Sequence, residues 1–231
     1  MNISLKMKAQ GQKGMTEELT SPVVYQETQQ PEQDEQLLQR QRLLQDEAQS
    51  VLKELNLVEL LSAGGVVRQT GSSALGLMVW RDIDLAVSSP GLSIERAFEI
   101  MHPLLTHPRV KQVRYFHQSG PFKLIGLDER YYFMVFYDLH EQAEWKFDIS
   151  FWLGEGIHPE PVHEAIEQQL TPETRLTLLR IKDAWYQLPA YRSEVYSTDI
   201  YDAVLQHGVH TLAEFDQYLV ERGKPTRAKR L

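Results

Sequence analysis

The chain has 231 residues, room for one or two domains, and 42% of them are hydrophobic, enough for a packed core. Its 32 acidic residues against 24 basic ones leave a formal charge of −8, which excludes nucleic-acid binding through net charge and leaves only a local basic patch for that purpose. It has no cysteine, which excludes disulfides, cysteine zinc sites and thiol catalysis; no stretch offers a membrane span, so a cytoplasmic protein that meets no membrane is expected.

Residues 1–33 are polar and glutamine-rich and, apart from Val23, Val24 and Tyr25, lack apolar periodicity. They read as a disordered arm. The lysine-bearing start has no apolar stretch of the kind a secretory signal needs. From Asp34 to Leu61, Leu37, Leu44, Ala48, Val51 and Leu55 recur at helical steps, and Gly64-Gly65 closes the helix. Val66 to Gln69 is the first core strand and delivers the chain to Gly71-Ser72-Ser73. Ala74 to Val79 fits a short helix behind that turn, and Arg81 to Val87 a second strand. Ser88-Ser89-Pro90-Gly91 is a turn. A helix follows over Ser93 to Leu105, with Ile94, Ala97, Phe98, Met101 and Leu105 inward. His102 and His107 each precede a proline, and Pro103 between them argues against a metal pair.

Three strand-like runs come next: Val110 to Gln118, Phe122 to Leu127 and Tyr131 to Leu139. A fourth, Glu144 to Trp152, alternates around Asp148, with Lys146 and Ser150 on the same face. These runs imply a mixed sheet. After Gly154-Glu155-Gly156 the pattern is helical. Thr171-Pro172 is a start signal, and Leu178, Ile181, Trp185 and Leu188 form one face. A second helix from Ser193 to Gln206 presents Val195, Ile200, Ala203 and Val204, and Gly208 ends it. Thr211 and Glu214 form a capping box for a last helix to about Arg222. The tail from Lys224 to Arg230 carries Lys224, Arg227, Lys229 and Arg230. Its default reading is a solvated tail; its sharper one is an RNA-phosphate contact. The α+β chain thus divides into an arm (1–33), a mixed-sheet core with flanking helices (34–156), a helical subdomain (157–222) and a basic tail (223–231).

The chemistry concentrates in Thr70 to Val87. On a strand, Asp82 and Asp84 project side by side while Ile83 points into the core. Two carboxylates about 4 Å apart repel by roughly 4 kcal/mol at an effective dielectric of about 20, and a divalent cation removes that conflict. Oxygen ligands of this type suit Mg²⁺ or Mn²⁺. The Gly71-Ser72-Ser73 turn offers backbone N–H groups and hydroxyls to a phosphate. The bland alternative is a solvated surface turn, which the apolar Ile83, Leu85, Ala86 and Val87 oppose. Lys182 falls within the apolar sector of its helix. It is either a snorkelling stem or a positive charge opposite a metal. Trp185, Tyr196 and Tyr201 either stack a base or belong to the core.

Gly71-Ser72, nine further residues, then Asp82-Ile83-Asp84-Leu85 resembles the DNA polymerase beta-type nucleotidyltransferase superfamily. The resemblance spans about residues 60 to 155. It implies Asp82, Asp84 and a third carboxylate on a later strand as catalytic metal ligands. Asp148 fills that place, with Asp138 as its rival. It also implies an NTP, ATP the first candidate, held through Gly71, Ser72, Ser73 and Lys182. The helical part resembles abortive-infection and tRNA-tailing toxin nucleotidyltransferases, which carry a lysine helix followed by a basic residue and an Asp-x-x-Asp pair. Lys182, Asp199 and Asp202 match, but Thr198 stands where the basic residue would be. The implied acceptor is an antibiotic-like small molecule or an RNA 3′ end. The alternative is a nucleotide-binding regulatory or antitoxin-type module on the same fold.

Overall fold

The computed structural model describes residues 22–126, 128–140, 143–154 and 160–227 of the protein, with residues 22–30 and 160–162 described by backbone alone. The expectations for residues 1–21, for Leu127, for Glu155-Gly156 and for Lys229 and Arg230 lie outside these residues, as do the side chains of Val23, Val24 and Tyr25.

The fold is α+β. Five strands, β1 (Val66–Thr70), β2 (Asp82–Ser88), β3 (Val110–Gln118), β4 (Arg130–His140) and β5 (Ala143–Trp152), form one mixed sheet in the order β1-β2-β5-β4-β3. β2 and β5 pair in parallel, and the other neighbours are antiparallel. Period-two alternation gives the sheet two unlike faces. Ile83, Leu85 and Val87 of β2, Phe147, Ile149 and Phe151 of β5, and Phe133, Val135 and Tyr137 of β4 point to one side, all buried. There they meet Leu44, Ala48, Val51 and Leu52 of α1 (Pro22–Glu54), Leu57 and Leu61 of α2 (Leu57–Ser62), and Ala97, Ile100, Met101 and Leu104 of α4 (Ile94–Leu105). Each such side chain contributes about 1.5–3 kcal/mol on burial. The opposite face carries Asp82, Asp84, Lys146, Asp148 and Ser150.

A second apolar cluster joins Leu75, Leu77 and Val79, around the short helix α3 (Gly71–Leu75), to α6 (Pro172–Trp185), α7 (Ser197–His207) and α8 (Leu212–Glu221). Trp185 and Phe215 meet edge to face at its centre, 5.7 Å between ring centroids. A further helix, α5 (Glu160–Glu167), precedes α6. Leu37 of α1 enters this cluster too, and Asp34 pairs with Arg180 of α6, Nε to Oδ1 2.7 Å. α1 therefore ties the helical part to the sheet.

Several elements differ from the sequence reading. α1 begins at Pro22 rather than near Asp34; the glutamine- and glutamate-rich stretch has good helix propensity. The helix breaks before Leu61 because Asn56 takes left-handed geometry at φ 49°, which asparagine tolerates, and α2 restarts at Leu57. α3 occupies Gly71–Leu75 instead of Ala74 to Val79, since Gly76 at φ 65° ends it early. In α4, Ala97 and Met101 are buried and Ile94 and Leu105 pack against the core as expected, but Ile100 and Leu104 are buried as well, Phe98 is exposed at its edge, and the helix continues through Pro103. Phe122 to Leu127 is no strand. Its described residues form a 3₁₀ turn at Gly120–Phe122 and an exposed loop, because β3 pairs directly with β4 and leaves them no partner. α7 starts at Ser197, after a turn at Arg192, rather than at Ser193. The Thr171 cap, the Gly208 stop and the Thr211–Glu214 capping box form as expected.

Glu47 of α1 accepts hydrogen bonds from Arg81 Nε (2.6 Å) and Nη2 (3.0 Å) and from Trp145 Nε1 (2.9 Å), pinning the helix to the strand ends beside the acidic residues. The Arg81 guanidinium first, and the indole N–H after it, hold the Glu47 carboxyl below the usual range. A depressed folded-state value adds stability above the unfolded pKa, and that stability fades as pH falls through the folded value. Glu47→Gln should therefore lower the unfolding free energy by about 1–2 kcal/mol at pH 7 in urea titrations, and the gap to wild type should close below about pH 4.

Candidate active site

β2 and β5 run in parallel with Asp84 opposite Asp148 and Asp82 opposite Lys146. That register brings the three expected carboxylates to one face, with Asp84 and Asp148 at the same level of the sheet and Asp82 two residues along β2. β1 adds Thr70 beside Asp84, and the chain turns there into Gly71-Ser72-Ser73. Gly71 has φ 64°, and a Cβ on it would collide with Oδ2 of Asp84. Only glycine fits both demands. Ser72 and Ser73 are buried. Ser73 Oγ donates to Thr70 O at 3.3 Å, and Gln45 of α1 donates to Ser73 O.

Lys146 stands among the acids. Its Nζ lies 2.6 Å from Asp148 Oδ2 and 3.0 Å from Asp82 Oδ1. Burial opposes its charge, but Asp82 and Asp148 outweigh burial and raise its pKa. Tyr132 of β4 donates to Asp148 Oδ1 at 2.7 Å. Burial first, then the Asp148 charge and this bond, push the Tyr132 phenol up. Oδ1 of Asp82 is buried and accepts no hydrogen bond; the Lys146 contact is an ion pair without hydrogen-bond alignment. Burial raises the Asp82 carboxyl, against the pull of Lys146. Asp84 is raised well above the ordinary range, by burial and then by repulsion from Asp82 and Asp148.

Lys182 of α6 is buried, and its Nζ donates to Leu77 O at 2.7 Å and to Tyr201 Oη at 3.2 Å. Burial pushes its pKa down to about 8, with Asp82 and Asp84 pulling the other way. Lys182 thus reaches the acids through their fields, from beneath the turn, while its hydrogen bonds go to protein groups. The structure does not bring Asp199 and Asp202 to the cluster. Asp199 accepts from the Tyr196 backbone N–H (2.8 Å) and pairs with Lys224, capping α7. Asp202 accepts from Tyr218 Oη at 2.6 Å and lies beside His207 and Arg222. Of the tail, Lys224 pairs with Asp199 and Arg227 with Asp216, which occupies both with carboxylates. Trp185 and Tyr201 are core residues, and Tyr196 is part-exposed. Asp138 is exposed, pairs in register with Glu144 and contacts Lys111. It lies four residues along β4 from Met134, the partner of Asp148, or about 13 Å away.

Two basic residues of the site carry no sequence motif. Lys146 is legible only as a neighbour of Asp148 on its strand face. Arg192 sits in a turn at φ 69°, a geometry that strains a non-glycine residue, with its guanidinium over the Trp80 ring and its charge felt by Asp82, Asp84 and Asp148.

The donor set fits a divalent cation: hard oxygens, a buried Asp82 oxygen with no hydrogen bond, and an Asp84 carboxyl raised by burial and then by its acidic neighbours. Among the described residues no three carboxylate or imidazole groups close up as a ready cage, and Lys146 stands between Asp82 and Asp148. A cation joining all three carboxylates therefore has to displace the Lys146 ammonium.

No family model and no curated protein matches the chain. Among solved structures it is similar to CdnC of E. coli MS115-1 with ATP, at 16% identity and a TM-score of 0.42, covering 82% of this chain and 66% of that one. It is similar at 15% identity and a TM-score of 0.38 to the complex of CdnC with HORMA-deltaN, covering 82% of this chain and 63% of that one. At that level of likeness, the reading of the site rests on this chain's own residues.

Because the ionised Asp84 is disfavoured in the metal-free fold, Asp84→Asn should be more stable than wild type in EDTA. A raised carboxyl costs stability once the pH passes the unfolded value. The gain should be about 1–3 kcal/mol at pH 7.5 and should vanish near pH 4, read by thermal unfolding.

Proposed function

We propose that the protein is a divalent-cation-dependent nucleotidyltransferase that moves an NMP from an NTP, ATP the first candidate, to an acceptor hydroxyl. The observation that carries this reading is the parallel β2–β5 register, which sets Asp84 against Asp148 with Asp82 on the same face, beside the Gly71 turn. Asp82, Asp84 and Asp148 would hold Mg²⁺ or Mn²⁺. When bound, the cation neutralises phosphate and carboxylate charge and makes a coordinated hydroxyl more acidic.

The chain's residues have distinct tasks in this scheme. Gly71 lets the turn approach the β- and γ-phosphates without a side chain in the way, and Ser72 and Ser73 supply N–H and hydroxyl donors. Asp148, oriented by Tyr132, takes up the proton as the acceptor oxygen bonds to the α-phosphorus. The bond from the α-phosphorus to the bridging oxygen breaks, and pyrophosphate carries away that electron pair. Lys182 and Arg192 supply positive charge near the leaving group.

Incubating the protein with Mg²⁺ and α-phosphate-labelled NTPs tests this. The label should move to an acceptor pool. Asp82→Asn and Asp84→Asn should each slow transfer about 100-fold or more while remaining folded by circular dichroism. Nucleotide binding that needs Mg²⁺, with no transfer to any acceptor, would instead support a nucleotide-sensing module. Full activity of Asp84→Asn would refute the assignment of the metal ligands.

A further inference from the structure

Beside Asp148, on the same face of the sheet, β4 and β3 present aromatic and arginine side chains in alternation. Tyr132 and Phe116 are register partners and their rings stack, 5.3 Å between centroids and 21° between planes. The Arg130 guanidinium lies 4.7 Å over the Tyr132 ring, and that of Arg114 5.4 Å over the ring of Phe136. Phe116 and Arg114 are exposed, and Tyr132 and Phe136 are half-buried. Helices α2 and α4 lie on the other face, with Phe133 and Phe151.

The platform is continuous with the acidic cluster. Tyr132 itself donates to Asp148. Arg114 pairs with Met134, and Met134 with Asp148, so Arg114 lies two strands, about 10 Å, from the third carboxylate.

We propose that this surface binds the 3′-terminal segment of a single-stranded RNA and delivers its terminal hydroxyl to Asp148. The proposal rests on the nucleotidyltransferase reading and names the acceptor for it. Interleaved aromatics and arginines fit a polyanion with flat bases: rings take unpaired bases, and guanidiniums take phosphates and stack as well. Arg114 and Arg130 place two positive charges beside Asp148 in a chain of net charge −8. A polycationic acceptor such as an aminoglycoside would meet Arg114 and Arg130 as like charges. A duplex keeps its base faces covered, which selects a single strand. The exposed amide of Gln112, in register with Phe136, stands where it can engage a 2′-hydroxyl, the group that separates RNA from DNA.

The test is fluorescence anisotropy of a short labelled single-stranded RNA with the full chain in EDTA and without NTP, so that binding is read apart from transfer. The RNA should bind, and its duplex and its DNA counterpart should bind at least several-fold more weakly. Phe116→Ala and Arg114→Ala should each weaken binding about tenfold, and Arg114→Ala should also flatten the salt dependence. Arg114→Glu, an exposed change on the edge strand, gives the same reading should the loss of Phe116 disturb the strand. Equal RNA affinity in wild type and Arg114→Glu, or equal affinity for RNA, DNA and duplex, overturns the proposal. Failure of label transfer with RNA binding intact would count against the nucleotidyltransferase reading and leave the RNA surface standing; transfer to a non-RNA acceptor without RNA binding would do the reverse.

Discussion

Lys146 binds Asp148 and Asp82 across the parallel pairing of β5 with β2, and the energetics of the site follow from that contact. Three carboxylates on one face of a sheet repel one another, and burial makes each charge costlier still. One ammonium inserted among them offsets part of that repulsion. The rest remains in the elevated Asp84 carboxyl and in the Asp82 oxygen without a hydrogen bond. Such a conflict persists only in a scaffold that does not yield. Here the scaffold is the reverse face of the same strands, where Ile83, Leu85, Phe147 and Ile149 are fully packed. Since side chains alternate along a strand, the residues that fix the core also fix the direction of the acids.

The helical part supports the same site from the other side. Arg175 of α6 donates to Leu75 O (2.6 Å) and Gly76 O (2.8 Å), and Lys182 to Leu77 O (2.7 Å). These bonds satisfy carbonyls at the end of α3, a helix too short to be stable alone. The Gly71 turn is therefore held from β1, from α6 and from Gln45 of α1. The buried Lys182 also places a positive charge under the acids, so the same residue positions the turn and lowers the local negative potential.

The sheet and the acidic motif were legible because their signals are local. Alternation located β3, β4 and β5, the Asp-Ile-Asp spacing placed two acids on one face, and the family resemblance called for a third carboxylate on a later strand, a place that Asp148 fills in its alternating strand. What the sequence left open depends on contacts between distant segments. Asp199 and Asp202 carried the spacing of a site pair, yet Tyr196, Lys224 and Tyr218 engage them, and no local pattern announces those partners. Lys146 reads as an ordinary lysine on a strand face until the parallel register puts Asp82 opposite it. Arg192 lies in a turn without periodicity, and its strained backbone belongs to the folded chain alone. The Phe122 to Leu127 run had strand composition, but pairing partners decide strands, and β3 and β4 had already taken each other.

The most direct measurement is an anomalous difference map from crystals of the protein grown with Mn²⁺ and a non-hydrolysable ATP analogue. The expected map has a strong peak within coordination distance of Asp82, Asp84 and Asp148, with Lys146 moved off at least one carboxylate and the triphosphate against Gly71-Ser72. A map with no peak between β2 and β5, and Lys146 still bridging Asp82 and Asp148 beside bound nucleotide, would contradict the account.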